Sequence, residues 1–164
     1  MIASNAKLST ILKSALHKAC WHVSVGGCTL PTFSLAIGEK TKRNRTLRNP
    51  AQPIVFRKYE PEISFYVWCA WRLEYRDEVI ASNDGGDGEI ERGLKRIIGK
   101  SILKMEIMPP AWDFVMHFDG SLRLVVFCNY AGKKPTFSCN WQAKVQHTRI
   151  IAGPGSELEI AQLK

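Results

Sequence analysis

The sequence lacks the short motifs that mark most catalytic sites. It contains no G-x-S-x-G, no H-E-x-x-H, no P-loop and no G-x-G-x-x-G, the signatures of common hydrolases, zinc proteases and nucleotide-binding enzymes. Helix-turn-helix, zinc-finger and RNP-type patterns are missing as well. From these absences we expect a chain without enzymatic activity and without a cofactor.

Long apolar runs are also missing. No stretch reaches the roughly eighteen apolar residues that a membrane-spanning helix needs. Near the N-terminus, Ser9, Thr10 and Lys13 interrupt the continuous apolar run that a signal peptide would have. The sequence therefore predicts a cytoplasmic protein that does not contact a membrane.

The cysteines form no closely spaced pair. Even Cys20 and Cys28 stand farther apart than the C-x2-C ligands that are typical of structural zinc sites. There are five cysteines, an odd number, and no signal peptide accompanies them. This pattern predicts free thiols in a reducing compartment and no bound metal.

Acidic residues are absent from Lys40 to Lys58, and positive charge accumulates there. Seven cations of this chain of net charge +8 fall in the segment, namely Lys40, Lys42, Arg43, Arg45, Arg48, Arg57 and Lys58. Prolines at its end exclude a long helix and favour a loop, with a short strand at Ile54 to Phe56. We expect a basic loop over 40–53.

Three interpretations of this basic segment stay open: a solvated loop or oligomer contact, a surface for an acidic protein partner, and a nucleic-acid contact. Arginine binds carboxylates and phosphates alike through paired N–H groups. Nucleic acid is the less favoured ligand, because no aromatic residue stands between Phe33 and Phe56, whereas single-strand binding proteins interleave aromatics with cations. The candidate binding residues of the segment are Arg43, Arg45 and Arg48.

Two stretches have helical periodicity. Near the N-terminus, apolar residues recur at a spacing of three and four, at Leu8, Ile11, Leu12, Ala15, Leu16 and Ala19. A second helix is predicted near 89–99, because Ile90, Leu94 and Ile97 repeat at the same period and Gly99 stands where a helix ends.

The strongest strand pattern runs from Ile63 to Tyr75, where apolar residues occupy every second position. Its other face is also rather apolar, so we place this strand in the middle of a sheet. Tyr66, Trp68 and Arg72 lie on that second face. Aromatic residues and arginine are common anchors of interfaces, and these three are therefore candidate binding residues.

Turn signals complete the architecture. Asp119-Gly120 between alternating apolar runs predicts a hairpin, and the C-terminal half reads as a meander. The fold class that follows is α+β, with an antiparallel sheet of roughly six to eight strands and the two helices packed on it. We expect one domain over 1–164, with a peripheral tail over 150–164 in which Glu157 to Leu163 forms one or two helical turns.

Two groups of polar residues offer an alternative enzymatic interpretation. His117 stands close to Asp119, and an acidic loop over 84–89 gathers Asp84, Asp87 and Glu89. A nucleophile–histidine–acid arrangement forms in space rather than in sequence, so a small enzyme with a site near His117 or the loop stays an alternative. The loop lacks the spacing of an EF-hand.

Four short stretches carry a resemblance to known proteins: Ser64–Arg72 (Ser-Phe-Tyr-Val-Trp-Cys-Ala-Trp-Arg), Val79–Asp84, the Phe118–Leu122 hairpin and the Asn140-Trp141 pair. In these stretches the chain resembles a group of small bacterial single-domain proteins without assigned activity. Such proteins occur in mobile gene cassettes and among immunity proteins that neutralise toxins, so the resemblance implies binding rather than catalysis. Immunity proteins that block nucleases are often acidic, so the basic charge of this chain weakens the interpretation as a nuclease inhibitor.

The sequence therefore predicts a cytoplasmic, non-enzymatic binding protein of the immunity or adaptor type that forms a homo-oligomer. Its partner is expected to be a protein, and nucleic-acid binding through residues 40–58 is the alternative.

Overall fold

A computed structural model of the chain describes residues 2–26, 32–132 and 139–163, with side chains described from Leu8 onwards. The sequence also predicts a turn over 131–135 and a last strand over 137–145. Part of that turn and the start of that strand lie outside the described residues, as does Cys28.

The described chain contains three helices and eleven strands. The helices are α1 (Ile2–Lys13), α2 (Ile54–Lys58) and α3 (Asp87–Lys95). The first six strands are β1 (Cys20–Val25), β2 (Phe33–Lys42), β3 (Tyr59–Val67), β4 (Ala70–Tyr75), β5 (Glu78–Ser82) and β6 (Ile102–Met108). The others are β7 (Asp113–Phe118), β8 (Leu122–Phe127), β9 (Trp141–Val145), β10 (Thr148–Ala152) and β11 (Leu158–Gln162).

The strands form two antiparallel sheets. The six-stranded sheet has the order β1-β2-β3-β9-β10-β11, and the five-stranded sheet has the order β5-β4-β8-β7-β6. This arrangement confirms the α+β class, and the neighbours β6, β7 and β8 form the predicted meander. The strands are more numerous than expected and are divided between two sheets.

The long strand predicted from Ile63 to Tyr75 accounts for this division. Its predicted inner face is buried as far as Leu73, with Ile63 and Phe65 at 0% exposure and Trp71 at 1%, while Tyr75 at its end is half-buried. However, the chain leaves one sheet after Val67 and enters the other at Ala70. At the break, the amides of Trp68 and Cys69 both donate to the carbonyl of Asn140. One alternating segment therefore supplies a central strand to each sheet.

The inner faces of the two sheets enclose the hydrophobic core. Phe65, Trp71, Phe114 and Trp141 are among its largest fully buried side chains. Burying a side chain of this size stabilises the fold by roughly 2–3 kcal/mol. The indole N–H of Trp141 donates to the carbonyl of Trp112 at 2.8 Å, so its polar atom is satisfied inside the core.

Helices α1 and α3 pack against this core. Leu8, Leu12 and Ala15 are buried, as the N-terminal stripe predicted, although α1 ends at Lys13 and β1 begins at Cys20. Helix α3 lies close to β5 because Gly93 has no side chain: a Cβ atom there would come within 2.4 Å of the Ala81 Cβ. The predicted second helix is therefore present.

Three local expectations are corrected. Residues 54–58 form α2 rather than a strand. β2 extends through Lys42, so the basic loop begins at Arg43 rather than at residue 40. Residues 158–162 form an edge strand that pairs with β10, so the C-terminal segment joins the six-stranded sheet instead of forming a helical tail.

In the part of the chain that the structure describes, no helix combines the length and apolarity that crossing a membrane requires.

Candidate functional site

The basic segment folds as an excursion between β2 and β3. Residues 43–58, together with Lys42 at the end of β2, are here called the basic excursion. Arg43 holds its two ends together. Its Nε atom donates to the carbonyls of Phe56 at 3.3 Å and Tyr59 at 3.1 Å, and its amide donates to Lys58 at 2.9 Å. The Arg43 side chain is 19% exposed, so this predicted binding residue is mainly a structural brace.

A second arginine braces the middle of the excursion. The Nε atom of Arg57 donates to the carbonyl of Leu47 at 2.8 Å, while the Leu47 amide donates back to the Arg57 carbonyl at 2.9 Å. This reciprocal pair crosses the excursion from one arm to the other. The segment is thus ordered by its own arginines.

The excursion rests on the outer face of the six-stranded sheet at β1. Gln52 Oε1 lies 3.1 Å from both His22 Nε2 and Ser24 Oγ. The Phe56 ring lies 4.4 Å from the His22 ring, and the Trp21 ring packs against Phe56 at 6.1 Å. Burial lowers the pKa of His22, an effect that the bond to Gln52 partly opposes. The histidine is therefore a neutral packing partner.

Four cations of the basic segment remain available to a ligand. Among the described residues, no acid or ring pairs with the side chains of Lys42, Arg45, Arg48 and Lys58, all of which are exposed. Lys40, by contrast, lies over the Trp21 ring at 5.0 Å. Two of the predicted binding residues, Arg45 and Arg48, thus belong to this unpaired set.

Exposed apolar side chains stand among these cations. Leu47 is 38% exposed, Val55 is 42% exposed and Ile54 is 51% exposed. All three belong to the basic excursion. The excursion therefore presents positive charge and apolar surface together, a combination that is common at protein interfaces.

The predicted aromatic pair lies on the same outer sheet face. Tyr66 is 37% exposed and its ring stacks with that of Trp68 at 5.9 Å and 21°. On neighbouring strands, Tyr66 is opposite Ser34 and Gln142, and Ser34 is in turn opposite Ser24, which contacts the excursion. A row of side chains thus connects the aromatic pair with the basic excursion.

Arg72 does not join this group, because it lies beyond the break in the five-stranded sheet. Its Nε atom donates to Glu74 Oε1 at 2.5 Å, and its guanidinium lies 4.9 Å from the centre of the Phe127 ring. Arg123, on the adjacent strand, binds the other oxygen of Glu74. The structure therefore assigns this candidate residue to an ion-pair network.

Glu74 is the centre of that network and is only 5% exposed. Burial raises the pKa of its carboxyl, but the hydrogen bonds from Arg72 and Arg123 outweigh this effect and hold the pKa below its usual value. The carboxylate is thus ionised and satisfied, and its role is structural.

His117 and Asp119 do not interact as the enzymatic alternative expected. His117 Nε2 lies 2.7 Å from Glu106 Oε1, on the neighbouring strand. Asp119 accepts from the Ser101 amide at 2.9 Å and lies 3.5 Å from the Lys100 ammonium. The histidine is 32% exposed and Glu106 is 42% exposed, and both lie on the outer face of the five-stranded sheet.

Residues of the acidic loop line a cleft. A cleft of about 390 Å³ between β5 and α3 is lined by Gly85 and Glu89 of the loop, together with Arg92 and Arg96. A second cleft of about 430 Å³ lies between α1 and β6 and is mostly apolar, with Leu8, Leu12 and Leu103 in its wall. Neither cleft is lined by His117. No cluster of three potential metal ligands occurs within residues 2–26, 32–132 and 139–163.

Sequence reasoning did not find the residues that seat the excursion. Gln52, His22 and Phe56 are far apart along the chain, and no motif links them. One signal in the sequence could have indicated this contact, because arginine often packs against aromatic rings. The guanidinium carbon of Arg43 lies 5.6 Å from the centre of the Phe56 ring.

Comparison of this chain with protein-family models, curated proteins and solved structures gives no significant match.

Proposed function

We propose that this chain is a non-enzymatic binding protein that recognises an acidic surface of a partner protein through the basic excursion. The observation that carries the proposal is the unpaired set of cations, Lys42, Arg45, Arg48 and Lys58, on a segment that Arg43 and Arg57 hold in place. Because the backbone of this segment is already ordered, binding a partner costs little additional backbone entropy.

The apolar side chains among these cations support a protein as the ligand. Leu47, Ile54 and Val55 remain exposed although the core is well filled. A protein interface buries such side chains at its centre and places charges at its rim. A phosphate backbone offers charge but no comparable apolar surface.

Single-stranded nucleic acid is the second candidate, supported by the stacked pair of Tyr66 and Trp68 on an open sheet face. Bases stack on exposed aromatic rings, and cations beside the rings hold the backbone. A row of residues through Ser34 and Ser24 runs from Tyr66 to Gln52 of the basic excursion, which supports this candidate.

Fluorescence anisotropy with three labelled probes tests the proposal: a peptide that alternates glutamate with leucine, an oligoglutamate of equal length, and oligo-dT. We expect the glutamate–leucine peptide to bind most tightly and its affinity to fall as salt rises. The variant Leu47→Ser/Ile54→Ser should remove its advantage over oligoglutamate. Tighter binding of oligo-dT that is lost in Trp68→Ala would replace the proposal by the nucleic-acid candidate.

A cytoplasmic location and a homo-oligomeric state are part of the same proposal. Size-exclusion chromatography with light scattering checks the second: the expected mass is a multiple of that of one chain, and a monomer at high concentration would remove the oligomer from the proposal.

A further inference from the structure

Two cysteines that are far apart in the sequence adjoin the same end of a strand pair: Cys69 directly precedes β4 and Cys128 directly follows β8. The register of β4 and β8 pairs Ala70 with Phe127, so the next position along the ladder places Cys69 opposite Cys128. Both residues continue the inward-facing alternation of the adjoining strands, and the neighbouring Cys128 thiol raises the pKa of Cys69. Directly opposite residues on one face are the nearest neighbours that an antiparallel pair offers.

The backbone around the two cysteines suits a disulfide. The Cys69 amide donates to Asn140 O at 3.2 Å, and the Cys128 amide donates to Asp113 Oδ1 at 2.6 Å. Neither amide donates to the other cysteine. Continuing the register one step from Ala70 and Phe127 therefore places the pair at a non-hydrogen-bonded position. Cα atoms at such sites are about 4.5 Å apart, which is within the range that disulfides bridge.

The two thiols differ in access. Cys69 is 4% exposed, whereas Cys128 is half-buried and has its sulfur 3.3 Å from the carbonyl of Trp112. The neighbouring Cys128 thiol and burial both raise the pKa of Cys69, which keeps that thiol protonated. A small oxidant therefore reaches Cys128 first.

We propose that Cys69 and Cys128 are a redox-modification site at which a peroxide closes an intramolecular disulfide. The Cys128 sulfur attacks hydrogen peroxide and becomes a sulfenic acid, with release of one water. The Cys69 sulfur then attacks the sulfenic sulfur, the S–S bond forms and a second water leaves. Overall, two thiols are oxidised, one peroxide is reduced and two waters are produced.

The Cys69–Cys128 disulfide would lie next to the candidate site. Trp68 immediately precedes Cys69, and its carbonyl accepts from the Tyr130 hydroxyl at 2.7 Å. The disulfide therefore ties the strand end that carries the aromatic pair to β8. It also closes a loop of the chain from 69 to 128, and closing a loop of this size stabilises a domain by restricting its unfolded state.

Mass spectrometry tests the proposal. The reduced 164-residue chain is treated with hydrogen peroxide and then denatured in the presence of N-ethylmaleimide, which alkylates the remaining free thiols. We expect two of the five thiols to escape alkylation and a peptide to appear in which Cys69 and Cys128 are linked. The melting temperature should rise by roughly 10 °C and return on reduction. Cys20→Ala is the matched control, because burial raises the pKa of Cys20 to about 12 and Ile37 rather than a thiol lies opposite it.

Single variants separate the two steps. Cys69→Ala should accumulate a sulfenic acid at position 128 that dimedone traps, and Cys128→Ala should leave Cys69 reduced. Alkylation of both thiols after peroxide treatment, or a link from Cys69 or Cys128 to Cys28 or Cys139 instead, would overturn the proposal.

Discussion

The outer faces of the two sheets both carry charged side chains, but the two faces differ in how many of these charges have an opposite charge beside them. On the five-stranded sheet the charges are paired: Arg72 and Arg123 share Glu74, and Lys104 lies 3.1 Å from Glu106. The six-stranded sheet also carries pairs, such as Arg149 with Glu159, but the basic excursion adds cations that no acid of the described chain neutralises. Paired charges stabilise a fold, whereas exposed unpaired charges contribute little to it. The difference therefore separates a structural face from a face available to a ligand.

The largest effect is expected at the structural face. Glu74→Gln leaves two arginines without their shared carboxylate, and we expect a loss of about 2 kcal/mol in the free energy of unfolding. This value is below the usual cost of breaking a buried pair, since Arg72 and Arg123 are 40% and 48% exposed and regain water. Urea denaturation measures it. Glu159→Gln, at an exposed pair with Arg149, is the control and should cost less than about 0.5 kcal/mol.

The pH dependence of stability checks the same network. The pKa of Glu74 is lower in the folded chain than its usual value. The folded state therefore binds fewer protons, and the stabilisation is complete above the usual carboxyl pKa and is lost as pH falls through the lowered one. Urea curves recorded from neutral to acidic pH should show a smaller acid-induced loss for Glu74→Gln than for the native chain. Identical pH profiles would show that Glu74 is not the linked group.

A smaller effect is expected at the brace of the excursion. Arg43→Ala removes the bonds to Phe56 and Tyr59, and we expect a loss of about 1–2 kcal/mol together with faster hydrogen exchange of the Leu47 amide. Arg43→Lys keeps the charge but not the forked geometry and should show most of the same loss. A fully stable Arg43→Ala chain with a protected Leu47 amide would mean that the brace is unimportant.

The smallest effect on stability is expected for the unpaired cations. Lys42→Ala/Arg45→Ala/Arg48→Ala should change the free energy of unfolding by less than about 0.5 kcal/mol, because these side chains contact no acid of the described chain. Urea denaturation is again the measurement. A large loss would place these cations in the structural class and remove the contrast between the two faces.

The sequence predicted which residues are buried better than it predicted which residues meet. The alternation from Ile63 to Trp71 identified inward-facing side chains correctly, since it depends only on the geometry of a strand. The sheet break was not visible, because it depends on the carbonyl of Asn140 far along the chain. The local sequence pattern predicts which side chains are buried, whereas the sheet to which a strand belongs depends on long-range pairing.

The same limit explains the candidate site. Arg45 and Arg48 were identified from the absence of acids, and they are unpaired in the structure. Arg72 was grouped with Tyr66 and Trp68 by alternation alone, but Glu74 and Arg123 determine its place. His117 was assigned to Asp119 by proximity in sequence, whereas strand pairing gives it Glu106. Partners that depend on register cannot be found without the fold.

The central claim is that the unpaired cations of the basic excursion bind the ligand. Two charge-matched variants test it. One is Lys42→Ala/Arg45→Ala/Arg48→Ala, and the other is Lys95→Ala/Lys100→Ala/Lys104→Ala, whose lysines each lie near an acid. Both lower the net charge by three.

Anisotropy titration of the labelled glutamate–leucine peptide at moderate salt compares the two variants with the native chain. We predict that the excursion variant loses about tenfold in affinity, with a weaker salt dependence, while the control variant stays close to the native value. Equal losses in the two variants would mean that net charge, and not the basic excursion, determines binding.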